Sequence, residues 1–177
     1  FQNENFIVFN KPNGVLTHPD NSSKSFTVRD RLLEIQPSVK QWGISDREGI
    51  VHRLDKQTSG LIVCALNEDI FKLLQTFFKE RTIYKEYVCI VEGKLRTQSG
   101  NIEVPLSRSR HNRIKREVSN EGRISSSNFE VLLEGDTYSK LKIELLTGRN
   151  HQIRSQMEFL GNPIVNDVLY GAKKVLE

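Results

Sequence analysis

Short apolar runs separated by turn residues constrain the fold of this chain most strongly. Six runs rich in β-branched and aromatic residues are each followed within two residues by Asn, Asp or Gly, which favour tight turns. They span residues 6–9, 50–54, 61–66, 83–91, 125–133 and 140–146. Because most of them adjoin through short connections, the sequence predicts an α+β fold with a largely antiparallel, mixed central sheet flanked by helices and loops.

Three other segments have helical spacing and helix end signals. One runs from Thr27 to Ile35 and stops before Pro37, and another runs from Asn150 to Leu160 and stops at Gly161. The third begins after Asn67, a good N-cap, and its predicted apolar face consists of Ile70, Leu73, Leu74, Phe77 and Phe78. Polar loops are expected at 17–25 and around Trp42 and Gly43.

The bulk composition is that of a globular chain. With 177 residues, 37% of them apolar and 27% charged, the sequence predicts a single domain over 1–177. No apolar run is long enough to cross a bilayer and no signal peptide is visible, so an intracellular, first of all cytoplasmic, location is expected, with organelles also open. The chain opens without Met and soon enters an apolar run, so further upstream residues are expected.

The cysteines and histidines argue against a metal site. Cys64 and Cys89 both lie within apolar, strand-like runs, which predicts reduced, buried thiols and not a disulfide framework. The four histidines have no ligand-like spacing to either cysteine, so no metal is predicted.

Residues 107–117 form a basic segment. They hold five formal cations and one anion, within a chain whose net charge is +4. This density suits contact with phosphates, although a solvated, disordered loop accounts for it equally well.

Two further groups of ionisable residues lie where polar side chains can be presented. In 52–56, Asp55 lies close to Arg53; a carboxylate held in this way stays ionised and can attack an electrophilic carbon, yet a structural salt bridge fits the pattern as well. In 147–154, Arg149 and Arg154 are five positions apart and cannot share one helix face, so they are expected to have different roles, one at a phosphate and the other at a buried carboxylate. An ordinary capped surface helix fits this segment almost as well. Tyr87 is expected in a central strand, where packing is its plainest role.

Together these segments resemble the RluA family of pseudouridine synthases over nearly the whole chain. The similar motifs are 9–14 with 17–19, 49–56 with 58–61, 85–87 with 91–93, 105–106, 147–154 and 166–171, in that order. The resemblance implies the pseudouridine synthase fold and an isomerase that converts uridine in structured RNA to pseudouridine after flipping the base. It implies no cofactor, ribosomal RNA as the first expected substrate and transfer RNA as the second, and a monomer is expected.

The resemblance also implies residue roles. Asp55 would be the catalytic nucleophile, which attacks either the ribose anomeric carbon or the uracil ring, and the resemblance favours the first route. Tyr87 would be the tyrosine beside the base, for proton transfer at the ribose or for stacking. Arg154 would be the arginine that pairs with the aspartate, and Arg53 would enter the space left by the flipped uridine. The remaining RNA-binding residues expected are His52, Arg149, Arg108, Arg110, Arg113, Lys115 and Arg116. The basic segment would meet the unstacking cost of base flipping, a few kcal/mol, through phosphate contacts.

Two positions depart from the family pattern. Gln156 stands where a histidine is usual, and Asn166 stands where glycine is commoner, which leaves fine positioning or substrate choice open. The small RNA-binding domain that precedes many relatives' catalytic domain has no counterpart in these residues. The alternatives are an inactive RNA-binding or assembly factor on the same fold, and a hydrolase that pairs Asp55 with a second carboxylate, for which no clear partner is visible.

Overall fold

The computed structural model describes residues 1–20, 25–42 and 47–173. Their contacts divide into two compact units, Phe1–Ile83 and Tyr84–Glu177, each treated separately below. A single catalytic domain stays a prediction. Residues 21–24 of the expected polar loop, and Gly43 of the next one, lie outside the described residues. Within the described ranges, no helix combines the length and apolar character needed to span a bilayer.

The first unit is built on a two-stranded antiparallel sheet. Phe6 lies opposite Ala65, and Lys11 lies opposite Gly60. In chain order its elements are β1 (Phe6–Lys11), α1 (Val28–Ile35), a 3₁₀ helix (Pro37–Gln41), β2 (Gly60–Ala65) and α2 (Glu68–Glu80).

Both helices of this unit begin next to the predicted residues, and both are capped by a side chain. Thr27 and Asp30 form a reciprocal capping box at the start of α1, and the Asn67 side chain accepts the Ile70 amide N–H at 3.0 Å. The predicted apolar face of α2 is only partly right. Phe71 is the buried residue and Ile70, Leu74 and Phe78 are partly buried, whereas Leu73 and Phe77 are exposed, so the face that packs is rotated toward Phe71.

The strand predicted over 50–54 is wrong. Only Ile50 pairs with β2, through an isolated bridge to Cys64, and residues 51–55 have no regular structure. Gly49 turns the chain into this bridge at φ +68°, where a Cβ would lie 2.7 Å from the Ala65 carbonyl oxygen, so a glycine is required. After Ile50 the chain leaves the edge of β2, and side chains described below hold it instead.

The second unit is a five-stranded antiparallel sheet with a helix. The strand order is β3-β7-β6-β4-β5. In chain order the elements are β3 (Glu86–Glu92), β4 (Ser99–Arg108), β5 (Arg116–Val118), β6 (Arg123–Glu134), β7 (Tyr138–Leu145), α3 (Gln152–Phe159) and a 3₁₀ helix (Val168–Tyr170). The α+β prediction, with largely antiparallel pairing, is confirmed.

The core of the second unit lies between one sheet face and α3. Its fully buried members include Val91, Leu141, Ile143 and Met157. The predicted alternation along 140–146 is confirmed at Leu141 and Ile143, which point inward from β7.

Two expectations about this sheet are wrong. The strand of Tyr87, β3, is the terminal strand of the five-stranded sheet in the described part of the chain and not a central one. The basic segment is not simply a loop, because its ends belong to β4 and β5, which pair so that Arg108 lies opposite Arg116. Alternate β3 residues are exposed, a pattern more typical of a partly solvated strand than of a central one.

Both cysteines are free thiols in strands, as predicted. Burial raises the pKa of Cys64 and of Cys89 to about 12. At neutral pH both groups are therefore protonated apolar packing residues.

Candidate functional site

Asp55 lies at a turn directly after a buried residue. Leu54 is 6% exposed, Asp55 is partly exposed, and the flanking Arg53 and Lys56 face solvent. The amide of Thr58 donates to the Asp55 carbonyl oxygen at 3.0 Å and closes the turn. This placement offers a carboxylate to a ligand while the preceding side chain anchors the backbone in the core.

A buried threonine fixes the backbone just before Asp55. The Thr17 hydroxyl donates to the Leu54 carbonyl oxygen at 2.9 Å, and the Leu54 amide lies 3.2 Å from the same hydroxyl oxygen. Thr17 is 2% exposed, so no bulk water replaces these bonds. Leu54 therefore has its polar groups satisfied without a strand partner.

A buried lysine fixes the backbone just after Asp55. The Lys11 ammonium donates to the carbonyl oxygens of Pro12, Val15 and Lys56 at 3.0, 2.8 and 3.2 Å. These contacts use all three of its N–H donors, and the side chain is 1% exposed. Desolvation by burial lowers the pKa of Lys11, and the negative charge of Asp55 opposes that shift. Lys11 thus places a buried positive charge in the electrostatic field of the carboxylate.

His52 is held within the first unit. Its Nε2 accepts the Val63 amide N–H of β2 at 3.0 Å, and its ring stacks on Phe78 of α2 with centroids 4.7 Å apart and planes 17° apart. These contacts tie the irregular segment before Asp55 to both β2 and α2. The predicted RNA contact of His52 stays a prediction.

In the second unit, Arg154 of α3 forms a two-pronged ion pair. Its Nε and one terminal nitrogen lie 2.6 and 2.8 Å from the two carboxylate oxygens of Asp167. The guanidinium carbon also lies 4.6 Å from the centroid of the Tyr170 ring, within cation–π range. The guanidinium is therefore oriented by two neighbours. The expected pairing of Arg154 with Asp55 stays a prediction.

The backbone next to Asp167 explains one departure from the family pattern. Asn166 has φ +66°, a left-handed conformation that glycine and asparagine adopt most readily. Asparagine therefore substitutes for glycine here with little strain, and the carboxylate of Asp167 still reaches Arg154.

The buried Tyr170 links the start of α3 to the basic segment. Its hydroxyl oxygen accepts the Arg116 amide N–H at 2.9 Å and lies 2.8 Å from His151 Nδ1. His151 precedes α3 in a left-handed conformation, φ +54°. One phenol thus fixes β5 and the residue from which α3 starts.

Arg149 and Arg154 occupy different environments. Arg149 lies before α3, its Nε donates to the Ile124 carbonyl oxygen at 3.0 Å, and its amide donates to the Gln152 side chain at 2.9 Å. Of the two arginines, Arg154 is the one that reaches a largely buried carboxylate, that of Asp167, whose side chain is 10% exposed. The RNA contact of Arg149 stays a prediction.

The second departure, Gln156, is a buried link between α3 and the sheet. It is fully buried, its Oε1 accepts from the Ser127 hydroxyl at 2.8 Å, and its Nε2 donates to the Ile102 carbonyl oxygen at 3.3 Å. Because both polar atoms of its side-chain amide form hydrogen bonds inside the core, Gln156 orients α3.

Tyr87 is half-buried in β3. It lies opposite Ile143 of β7 and packs against the core of the second unit. Its role beside a base stays a prediction.

The basic segment forms an ordered hairpin between β4 and β5. Arg110 makes an exposed ion pair with Glu121 at 2.7 Å, and Lys115 pairs with Glu158 of α3. Arg108 and Arg113 face solvent, and Arg116 is partly exposed. Two of the five predicted phosphate contacts, Arg110 and Lys115, therefore already have carboxylate partners.

Sequence reasoning assigned no role to Lys11, Thr17, Asp167 or Tyr170, although all four lie inside the family-like motifs. Their only sequence signal is the motif itself, because, apart from Pro12 and Val15 beside Lys11, the partners of their side chains lie 13 or more positions away in the chain. Among described residues, no three His, Cys, Asp or Glu side chains are arranged to hold a metal ion; the expected absence of a metal stays a prediction.

Comparison with known proteins gives concordant matches. A family profile described as RNA pseudouridylate synthase matches residues 5–159. Ribosomal large subunit pseudouridine synthase D of Borreliella burgdorferi is 40% identical over 174 residues, which cover 97% of this chain and 53% of that protein. The protein of the same name from Haemophilus ducreyi is 33% identical over 172 residues, 97% of this chain and 52% of its own length.

A solved structure has the same fold. Human RNA Pseudouridylate Synthase Domain Containing 1 superposes with a TM-score of 0.78 at 27% identity, covering 97% of this chain and 68% of that one. The chain spans about half the length of the curated relatives described above.

Proposed function

The chain belongs to the RNA pseudouridylate synthase family, and from that premise we propose that it isomerises uridine to pseudouridine in structured RNA, with Asp55 as the nucleophile. The observation that carries the proposal is the profile match together with the partly exposed carboxylate of Asp55 on an anchored turn. Anchoring the backbone on both sides of a reacting group reduces the conformational entropy that is lost on reaching the transition state.

The proposed reaction exchanges one glycosidic bond for another. Asp55 attacks the ribose anomeric carbon, the bond to uracil N1 breaks, and uracil leaves as an anion. After the ring rotates, C5 attacks the same carbon and displaces the Asp55 carboxylate. C5 then loses its proton and N1 gains one, so the carboxylate is regenerated and neither redox chemistry nor a group donor is needed.

The other site residues are proposed to prepare the substrate. A stacked uridine hides its glycosidic bond, so the base must flip out before reaction. Arg53, exposed next to Asp55, would fill the space left in the stem, Tyr87 would lie beside the flipped base, and Arg154 would pair with the carboxylate of Asp55.

The proposed partner is a structured RNA, ribosomal RNA first and transfer RNA second. The names of two relatives refer to the ribosomal large subunit, which supports that order. Phosphates would be contacted by Arg149 and by cations of the basic hairpin, foremost the exposed Arg108 and Arg113. A cytoplasmic monomer that uses no metal is proposed with it.

The test is to map pseudouridine chemically in unmodified ribosomal and transfer RNA after incubation with the protein. Asp55→Asn, which keeps the size of the side chain, is the matched control. We expect product from the parent protein and none from the variant, with RNA binding retained by both. RNA binding without product from the parent would instead establish the inactive binding factor, and equal product from both proteins would exclude Asp55 as the nucleophile.

A further inference from the structure

We propose that His52 positions the Asp55 turn as a neutral hydrogen-bond acceptor, taking the place of a backbone carbonyl at the edge of β2, and that it is not a cationic RNA contact. The catalytic part of this inference rests on the proposed function. The hydrogen-bonding part stands on contacts within the first unit alone.

Along the edge of β2 that does not face β1, the backbone pairing of the described residues continues only as far as Ile50. Gly49 and Ile50 run antiparallel to this edge: the Ala65 amide donates to the Gly49 carbonyl oxygen at 2.8 Å, and Ile50 bridges Cys64. In an antiparallel ladder, alternate residues point their N–H groups to the same edge. The next N–H on that edge is therefore that of Val63.

A continued strand would satisfy Val63 with the carbonyl group of Val51, two residues beyond Gly49. The structure uses a side chain at this point. The His52 Nε2 accepts the Val63 N–H at 3.0 Å. The imidazole thus satisfies the edge of β2 while the backbone leaves it, which explains why the strand predicted over 50–54 ends at Ile50.

Leaving the ladder is what allows Asp55 to occupy a turn. Two residues after His52, the polar groups of Leu54 bond to Thr17 rather than to a strand. The stack on Phe78, with 4.7 Å between centroids, fixes the plane of the His52 ring and so directs its Nε2 at Val63. The chain is thereby anchored three residues before Asp55 and again one residue before it.

This contact specifies the protonation state of His52. A ring nitrogen that accepts a hydrogen bond must carry a lone pair, so Nε2 is unprotonated and the proton of the neutral ring lies on Nδ1. An imidazolium ion has no acceptor nitrogen and would lose the bond to Val63. A cation at this position is therefore incompatible with the observed contact.

Two substitutions distinguish a hydrogen-bond acceptor role of His52 from a role as a cationic RNA contact. His52→Gln keeps a polar atom the same number of bonds from the backbone as Nε2, and His52→Leu removes it. We expect His52→Leu to lower the single-turnover rate by about 10- to 100-fold, the scale of a misplaced reacting group, while the Kd for RNA stays within about twofold. His52→Gln should recover the rate to within about threefold of the parent, on the same scale.

The salt dependence of the Kd for RNA should not change if His52 only positions the turn. Loss of a phosphate contact lowers the slope of log Kd against log salt by about 1. Arg113→Gln is the control for such a loss. Both His52 variants should keep the parent slope, and a reduced slope with an unchanged turnover rate would overturn the proposal in favour of an RNA contact.

A third measurement is independent of activity, and its first part needs only the parent protein. In the parent protein, ¹⁵N NMR should show His52 in the neutral form with its proton on Nδ1, and the Val63 amide should be protected from hydrogen exchange. Protection should decrease in His52→Leu and persist in His52→Gln. A charged ring, or one with its proton on Nε2, would overturn the acceptor role. A parent without synthase activity but with these NMR features would refute the proposed function and the catalytic role while confirming the acceptor.

Discussion

The Asp55 turn and the basic hairpin are both rich in charge, yet they are held in opposite ways. The turn is fixed by buried polar side chains that bond to the backbone: Lys11 to three carbonyl groups, Thr17 to both polar groups of Leu54 and His52 to a strand amide. The hairpin cations Arg110 and Lys115 instead pair with carboxylates, and the first of these pairs is largely solvated.

The difference teaches which polar contacts matter for stability. A buried donor or acceptor left without its partner costs about 1–3 kcal/mol, whereas an exposed ion pair contributes about 0–1 kcal/mol. Isosteric substitutions that remove a polar contact should therefore lower the stability of the protein when they are made around the turn. Equivalent substitutions in the hairpin should leave the stability almost unchanged. Electrostatic attraction to RNA does not need rigid contacts, but the orientation of a nucleophile does.

The largest effect is expected at Lys11. Lys11→Met keeps the length of the side chain but removes a buried ammonium and its three bonds to partly buried carbonyl groups, so the free energy of unfolding should fall by about 3 kcal/mol and synthase activity should be lost. Urea unfolding and pseudouridine mapping measure the two effects. Lys40→Met, at an exposed lysine, is the matched control, and equal stability of the two variants would contradict the contrast.

The reactivity of Cys64 adds a local readout for this variant. Because the pKa of this thiol is about 12 and its side chain is buried, its alkylation at pH 8 requires opening of the first unit. Lys11→Met should accelerate the alkylation of Cys64, while Lys40→Met should not.

A smaller effect is expected at Thr17. Thr17→Val is nearly isosteric and leaves the Leu54 carbonyl and amide groups without their partner, so stability should fall by about 1–2 kcal/mol. Turnover should decrease with little change in RNA affinity, because Thr17 is buried. Thr76→Val, at an exposed helical threonine, provides the comparison. An affinity loss as large as the turnover loss would place Thr17 in RNA binding.

Tyr170→Phe should have an effect of about 1 kcal/mol on stability. The ring remains available to Arg154, but the Arg116 amide loses its acceptor and His151 loses its hydroxyl partner. Hydrogen exchange at the Arg116 amide should therefore become faster. Tyr138→Phe, at an exposed tyrosine, should leave that exchange rate unchanged; the same acceleration in both variants would refute the link.

The smallest effect is expected at the exposed ion pair of the hairpin. Arg110→Gln and Glu121→Gln should each change the free energy of unfolding by no more than about 0.5 kcal/mol. A double-mutant cycle on thermal unfolding measures the coupling. A coupling energy above about 1 kcal/mol would show that the hairpin, like the turn, is held by its polar contacts.

Local signals predicted the elements that depend on neighbouring residues. Helical spacing located the helix that starts after Thr27, and the N-cap Asn67 identified the start of the next one, because both signals come from residues a few positions apart. The pair β6 and β7 was predicted because alternation and a short turn are both visible in a single stretch of sequence. Features that depend on distant partners were not predicted. They include the strands β4 and β5 and the position of β3 at the end of the five-stranded sheet.

The same division applies to the candidate site. The motifs identified Asp55, Arg53, Tyr87 and Arg154 as chemically important, since residue type and order are properties of the sequence. They could not assign Asp167 to Arg154, 13 positions away, or explain Gln156. Those assignments depend on which polar atoms meet in the folded core.

By itself, the sequence determined the family of this protein and named one carboxylate and several arginines as candidate site residues, because residue types and their order along the chain are covalent facts. Tertiary structure alone decided that residues 51–55 leave the edge of β2 and that Lys11, Thr17 and His52 satisfy the polar groups around that departure. The physical reason is that a backbone group released from a sheet must find another partner before it can be buried, and only the folded chain brings that partner within hydrogen-bonding distance.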